Sequence, residues 1–221
     1  MKFMKQMNCI FPILISLLCL TIGFVSCSEE SEDFVYPPLL SEFADVCSDE
    51  SGTFTHLLTD RGGRLYIVNS SEIKTDSIFP DTIFRTILRY ELVENGGAMI
   101  YSWRFIPLLR PESSLEPSAG IKTDPLGMQS VWRGGKYLNL ILLVKGLGGI
   151  HHFRVVEDSI IQSVSGVRTL YLRLCHDAAN DVEGYTSKVF LSVALDDYSI
   201  GTSDSVKISI PTTHGWQQWD R

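Results

Sequence analysis

Apolar and polar positions alternate most clearly between residues 82 and 94. Phe84, Leu88, Tyr90 and Leu92 share one parity, and Arg85, Arg89 and Glu91 share the other. That period of two marks a strand with one dry and one wet face. Asn95-Gly96-Gly97 turns it back into 98–108, where Met99, Tyr101, Trp103 and Phe105 fall on a single face. Upstream, strands at 53–59 and 64–69 flank Asp60-Arg61-Gly62-Gly63, a hairpin signal. Downstream, 129–133 and 136–145 flank Gly134-Gly135. In the second of these, Leu138, Leu140, Leu142 and Val144 form one apolar face, while Tyr137, Ile141 and Leu143 fill most of the other. Such a strand belongs in the middle of a sandwich, covered on both sides. Gly146-Leu147-Gly148-Gly149 reads as a hairpin turn into 150–157. No helix start follows it, so it is not a dinucleotide loop. Further strands are expected at 169–175, 187–195 and 206–210. No segment sustains a helical period and none repeats, so the fold class is all-β.

The longest apolar run, residues 10–24, is of another kind. Lys2 and Lys5 precede it, Gly23 and Ser26 close it, and Cys27 follows. This is the layout of a secretory signal peptide over 1–26, too short and wrongly flanked for a stable span. A Cys directly after a small residue at the cleavage point resembles a lipobox, with Phe24 where the usual pattern prefers Leu. Acylated Cys27 would hold the mature chain to a membrane, since several acyl chains anchor firmly where one is marginal. Residues 27–50 are acidic and carry Pro37-Pro38, which reads as an extended tether. Its first part, Ser28, Glu29, Glu30, Ser31, Glu32 and Asp33, resembles the surface-export signal of Bacteroidetes lipoproteins. The expected address is therefore the outer membrane, facing the cell exterior. The same charges also suit a plain solvated linker.

The net charge is −7 over 221 residues, and loss of Lys2 and Lys5 with the signal takes it to −9. That argues against nucleic acid or an anionic lipid surface as a partner, because both need clustered Lys and Arg. Of five cysteines, Cys9 and Cys19 leave with the signal and Cys27 is the acylation site. A disulfide between Cys47 and Cys175 suits an oxidising compartment. However, Cys47 falls in the tether and Cys175 in a core strand, which argues against the pair.

No nucleophile elbow, H-E-x-x-H or P-loop is present, and no cofactor or metal is expected. One constellation stands out: His176-Asp177-Ala178-Ala179-Asn180-Asp181. Its imidazole and carboxylates (His176, Asp177, Asp181) could ligate a metal or act as a base, with His151, His152 or His214 as further ligands. The spacing fits no defined zinc site. A loop leaving a core strand, with Asn and Asp bonding the backbone, explains the same residues. Trp216 and Trp219, with Gln217-Gln218 between them, suit either a sugar platform or packing on a sandwich edge. Asp76-Ser77, Asp81-Thr82, Asp158-Ser159 and Asp204-Ser205, each followed by an aliphatic residue, resemble the O-glycosylation motif of exported Bacteroidetes proteins. Ser77, Thr82, Ser159 and Ser205 are the acceptor candidates.

A wider resemblance covers most of the mature chain. Asp124-Pro125-Leu126-Gly127, Val131-Trp132-Arg133-Gly134-Gly135, Tyr137-Leu138-Asn139-Leu140 and His152-Phe153 occur in order. Leu172-Arg173-Leu174-Cys175-His176-Asp177-Ala178, Asp181 and Val189-Phe190-Leu191-Ser192-Val193 follow. Together they resemble the NigD-like lipoproteins of Bacteroidetes. The resemblance implies an N-terminal OB-like barrel, here 51–115, followed by a C-terminal β-sandwich, 122–221. It supplies no catalytic residues. The expected function is that of a lipid-anchored, non-enzymatic binding or accessory protein whose partner is a glycan or another envelope protein. Two alternatives stand beside it: a bacteriocin-associated immunity or accessory role, which rests on the family name, and a metal-dependent hydrolase built on His176, Asp177 and Asp181.

Overall fold

The computed structural model describes residues 38–73, 78–114, 120–201 and 203–220. Cys27, the Ser28–Asp33 run and Ser77 lie outside them. The first five strands are β1 (Leu40–Ser48), β2 (Phe54–Thr59), β3 (Arg64–Ile67), β4 (Ile83–Val93) and β5 (Gly97–Phe105). They close into a barrel in the order β1-β2-β3-β5-β4, with β1 also paired to β4. Closure leaves no unpaired edge. Ala44, Val46, Phe54, Leu57, Ile67, Leu88, Tyr90, Ala98 and Ile100 fill the interior.

Two expectations fail in this barrel. The tether does not reach residue 50, because Leu40–Ser48 is β1 and Ala44 and Val46 are wholly buried. Residues 43–48 are buried on both faces and include Asp45, so no polar alternation revealed a strand. In β5, Met99 and Tyr101 do not share a face with Trp103 and Phe105 in the interior. Arg89 pairs with Ser102 but Tyr90 pairs with Ile100, so Tyr101 is the extra residue of a bulge. A bulge reverses the in–out phase. Ala98 and Ile100 face inward before it, Trp103 and Phe105 after it, and Tyr101 is exposed.

The remaining strands are β6 (Leu108–Leu109), β7 (Glu112–Ser113), β8 (Gly127–Gly134), β9 (Tyr137–Gly146), β10 (His152–Gln162), β11 (Arg168–Asp177), β12 (Tyr185–Ala194), β13 (Ser205–Thr212) and β14 (Gly215–Asp220). They form a five-stranded sheet, β14-β13-β11-β10-β7, facing a four-stranded one, β6-β12-β9-β8. As its pattern requires, β9 sits inside its sheet. Leu138, Leu140, Leu142 and Val144 pack against Val155, Leu170, Leu172, Leu174, Leu191, Val193, Val206, Ile208 and Ile210. Each such side chain contributes about 1.5–3 kcal/mol of burial.

The barrel ends earlier than residue 115. β6 pairs with β12 and β7 with β10, both in parallel, so 108–113 belongs to the sandwich. Neither two-residue strand carries a periodic signal, and Pro107 and Pro111 confine them to sheet margins. The Gly146–Gly149 stretch is not a hairpin turn either, since β9 and β10 lie in different sheets and the stretch arches between them. Cys47 in β1 and Cys175 in β11 are both free and buried. Burial raises the pKa of each thiol, which leaves them inert.

Candidate functional site

The outward face of the barrel formed by β1 and β4 meets the sandwich. On it Asp45 lies opposite Arg85, Phe43 opposite Ile87 and Ser41 opposite Arg89. The pattern correctly put Arg85 outside the barrel, yet outside is not water here: its side chain is 2% exposed. The guanidinium makes four hydrogen bonds and one further ion-pair contact. Nε donates to Ser192 Oγ at 3.0 Å. Nη1 faces Asp45 Oδ1 at 3.2 Å and Asp60 Oδ1 at 2.7 Å. Nη2 donates to Asp60 Oδ2 at 2.7 Å and Asn139 Oδ1 at 2.9 Å. Ser192 donates to Asn139 Oδ1, Asn139 Nδ2 to Asp60 Oδ2, and Tyr137 Oη to Asp45 Oδ2. The Tyr137 ring lies 3.9 Å from the Arg85 carbon, a cation–π contact. A Cβ on Gly134 would stand 2.3 Å from Asp60 Oδ2, so glycine lets the two domains close. The barrel supplies the buried charges; the sandwich supplies neutral polar groups and, at the margin, Lys136, whose Nζ lies 3.6 Å from Asp45 Oδ2. Arg85 and Asp60 form a fork within the barrel, and the bonds of Arg85 to Ser192 and Asn139, of Asn139 to Asp60 and of Tyr137 to Asp45 fix the barrel against the sandwich.

This seam was missed in the sequence. A signal for it existed: Asn139 and Ser192 are lone polar residues inside apolar strands, where a buried side chain must find partners.

Beyond the seam the same face opens into a cleft of about 770 Å³. Phe43 meets Trp132 edge-on, with ring centroids 5.0 Å apart, and Phe190 lies 6.1 Å from Phe43. Arg104 covers the Phe190 ring at 4.8 Å. Arg61, Arg89 and Arg104 line the cleft and are exposed. Arg133 is occupied by the carbonyls of Ile200, Gly201 and Asp204, and Glu42 accepts from Tyr90 Oη. A volume of 300–1,000 Å³ with mixed apolar and polar lining is typical of ligand sites.

The residues singled out in sequence lie elsewhere. His176 is 2% exposed at the end of β11. Its Nδ1 bonds the Asp124 carbonyl at 2.9 Å and its Nε2 bonds His151 Nδ1 at 2.8 Å. A carbonyl only accepts, so His176 Nδ1 holds a proton. Neutral His176 then accepts at Nε2 from His151 Nδ1–H. His151 Nε2 faces Asp181 Oδ2 at 3.4 Å. Burial, reinforced by His151, pushes the His176 pKa down. Partial burial of Asp181 opposes its ionisation, but N–H groups of Gly149 and Leu147, with His151, outweigh it and hold the carboxyl below its ordinary value.

Asp177 does not join this group. Consecutive strand residues face opposite ways, and its Oδ1 takes Lys122 Nζ at 2.9 Å and the Ala179 N–H at 2.7 Å. His176, Asp177 and Asp181 therefore do not converge, and no set of three or more metal-capable side chains converges among the described residues. His152 and His214 are exposed, and His152 lies opposite Asp177 on the neighbouring strand. Trp216 and Trp219, three apart on edge strand β14, fall on opposite faces. Trp219 packs on the sandwich core and Trp216 is 53% exposed, so they make no joint platform. Thr82, Ser159 and Ser205 are half-buried.

Residues 111–218 match the family model of the NigD-like C-terminal beta sandwich domain. Over most of its length the chain is similar to a NigD-like immunity protein from Bacteroides caccae. The two share 30% identity at a TM-score of 0.66, covering 85% of this chain and 94% of that one. A protein from Parabacteroides distasonis described as toxin-related shares the fold at 16% identity and a TM-score of 0.64, covering 83% and 92%. So does one from Bacteroides fragilis described as a lipoprotein, at 12% and 0.61, covering 83% and 97%. No functionally curated protein matches.

Proposed function

The chain belongs to the NigD-like family, and from that premise we propose a lipid-anchored, non-enzymatic binding protein of the outer membrane surface. Acylated Cys27 would hold it, and Glu29, Glu30, Glu32 and Asp33 would direct it outward. It would act by holding another envelope protein in the cleft between its domains. The observation that carries this reading is the cleft itself: a concavity with an apolar floor and charged rim, whose walls are locked together by Arg85. Locked walls mean little ordering cost on binding. A glycan partner is less well supported, because Trp216 and Trp219 face opposite ways.

Crosslinking on intact cells, followed by identification of the captured protein, tests the reading. A discrete partner is expected, lost when Cys27→Ser releases the protein from the membrane fraction. Capture of nothing beyond abundant neighbours would overturn it. The likeness to an immunity protein supports a second reading, protection against a toxin. Deletion of the gene should then sensitise cells to that toxin, and restoring the gene should reverse it.

A further inference from the structure

We infer that the cleft takes an acidic peptide segment of a partner protein, its carboxylates seated on Arg61, Arg89 and Arg104. This rests on the reading that the protein acts by binding in the cleft. Among the described residues, no carboxylate lies within ion-pairing distance of these three. The other charged groups of the cleft are already spoken for. Asp60 is held by Arg85, Glu42 by Tyr90, and Arg133 by three carbonyls. What remains is uncompensated positive charge in a chain whose net charge is −7.

Geometry narrows the occupant. Arg89 lies opposite Ser102, and Arg104 lies opposite Ile87. The two arginines are therefore diagonal neighbours on one sheet face, about 7–8 Å apart at their roots. Same-side residues of an extended peptide repeat at about 7 Å, so Glu or Asp at alternate positions match the pair. Guanidinium forks accept carboxylates bidentately. Residues between the acids would turn away from the arginines or drop an apolar side chain toward Trp132 and Phe190. A sugar ring would need a flat aromatic face. Here Phe43 meets Trp132 edge-on and Arg104 covers Phe190. A long polyanion would run past three arginines into a negatively charged surface, whereas a short acidic segment ends where they end.

The test uses the full-length protein in detergent micelles and fluorescence anisotropy. The probe is a labelled, end-capped peptide of alternating Glu and Leu, compared with its Gln–Leu counterpart. The acidic peptide should bind, and more weakly as salt rises. The Gln form and the Arg89→Gln and Arg104→Gln variants should each bind about tenfold more weakly. Unfolding temperatures should not change, and Lys145→Gln, at the far end of β9, should bind as the parent does. Equal binding of the two peptides, no effect of the Arg variants, or Arg-dependent binding of phosphatidylglycerol vesicles or single-stranded DNA in preference to the peptide would overturn the inference. A partner captured on cells that ignores these arginines would leave the wider reading standing while this one falls.

Discussion

Strand β9 ends in a buried polar cluster at each end, and the two behave differently. At its start, Asn139 joins the Arg85 seam; at its finish, Gly146 touches the His151–Asp181 pair. The seam is built on a guanidinium that keeps its charge at any ordinary pH. Its partners come from positions 25 to 107 residues distant. The far cluster is a chain of imidazoles and a carboxylate whose bonding depends on where protons sit. The first is a fixed joint between domains; the second is a titratable clasp that ties the arch after β9 to the end of β11 and the loop behind it. Burial alone does not separate them, and their charge chemistry does.

The largest effect should come from Arg85→Ala. It leaves Asp60, with a side chain 13% exposed, without a cation, and Asp45, 6% exposed, with only Lys136 at 3.6 Å. Removing one partner of a buried pair typically costs about 3–5 kcal/mol. Arg85→Lys should recover only part, since three ammonium protons cannot serve five acceptor contacts. Urea unfolding measures both. If His176→Ala costs more than Arg85→Ala, the contrast between the two ends of β9 breaks. Gly134→Ala should come next, at about 1–3 kcal/mol, because its Cβ would meet Asp60 Oδ2 at 2.3 Å and Asn139 Nδ2 at 2.7 Å. Its urea midpoint should fall without a change in slope.

The same contrast explains what could be read from the chain in advance. Strand patterns that meet water on one face, such as β4, were legible as alternation. So was β9, whose apolar residues fill both parities. β1 was not, because both of its faces are covered and Asp45 interrupts it, and β6 and β7 are too short to have a period. Among candidate sites, sequence proximity drew attention to His176, Asp177 and Asp181. Alternation along β11 then sends Asp177 to the opposite side. The Arg85 seam and the cleft are assembled across domains from residues that carry no local motif. Only the isolated Asn139 and Ser192 betrayed a need for partners.

The His176 end should show itself through pH. Its pKa lies below the unfolded value of 6.5, so between the two values the unfolded chain binds more protons. Stability from neutral His176 is therefore complete above pH 6.5 and is lost as pH falls through the folded value. His176→Gln should flatten that slope while costing about 1–3 kcal/mol at neutral pH through imperfectly replaced bonds to the Asp124 carbonyl and His151. Arg85→Lys, which keeps the cation beside Asp45 and Asp60, should leave the slope unchanged. Equilibrium unfolding from pH 5 to 8 separates the two clusters, and a slope that survives His176→Gln would assign it elsewhere.

The smallest global effect belongs to the glycine arch. Asp181 accepts the N–H groups of Leu147 at 3.1 Å and Gly149 at 2.9 Å. It fits only because Gly146 and Gly149 lack Cβ atoms, which would stand 2.1 and 2.7 Å from its carboxyl group. Asp181→Ala removes the acceptor, and Gly149→Ala pushes it away, so each should undo the same clasp. The Leu147 and Gly149 amides should exchange faster in either variant, while core amides of β9 and β11 keep their protection. Because both substitutions break one interaction, the double variant should exchange at nearly the single-variant rate. Additive acceleration would mean that Asp181 and the glycines act separately, and that this end of β9 is not a single clasp.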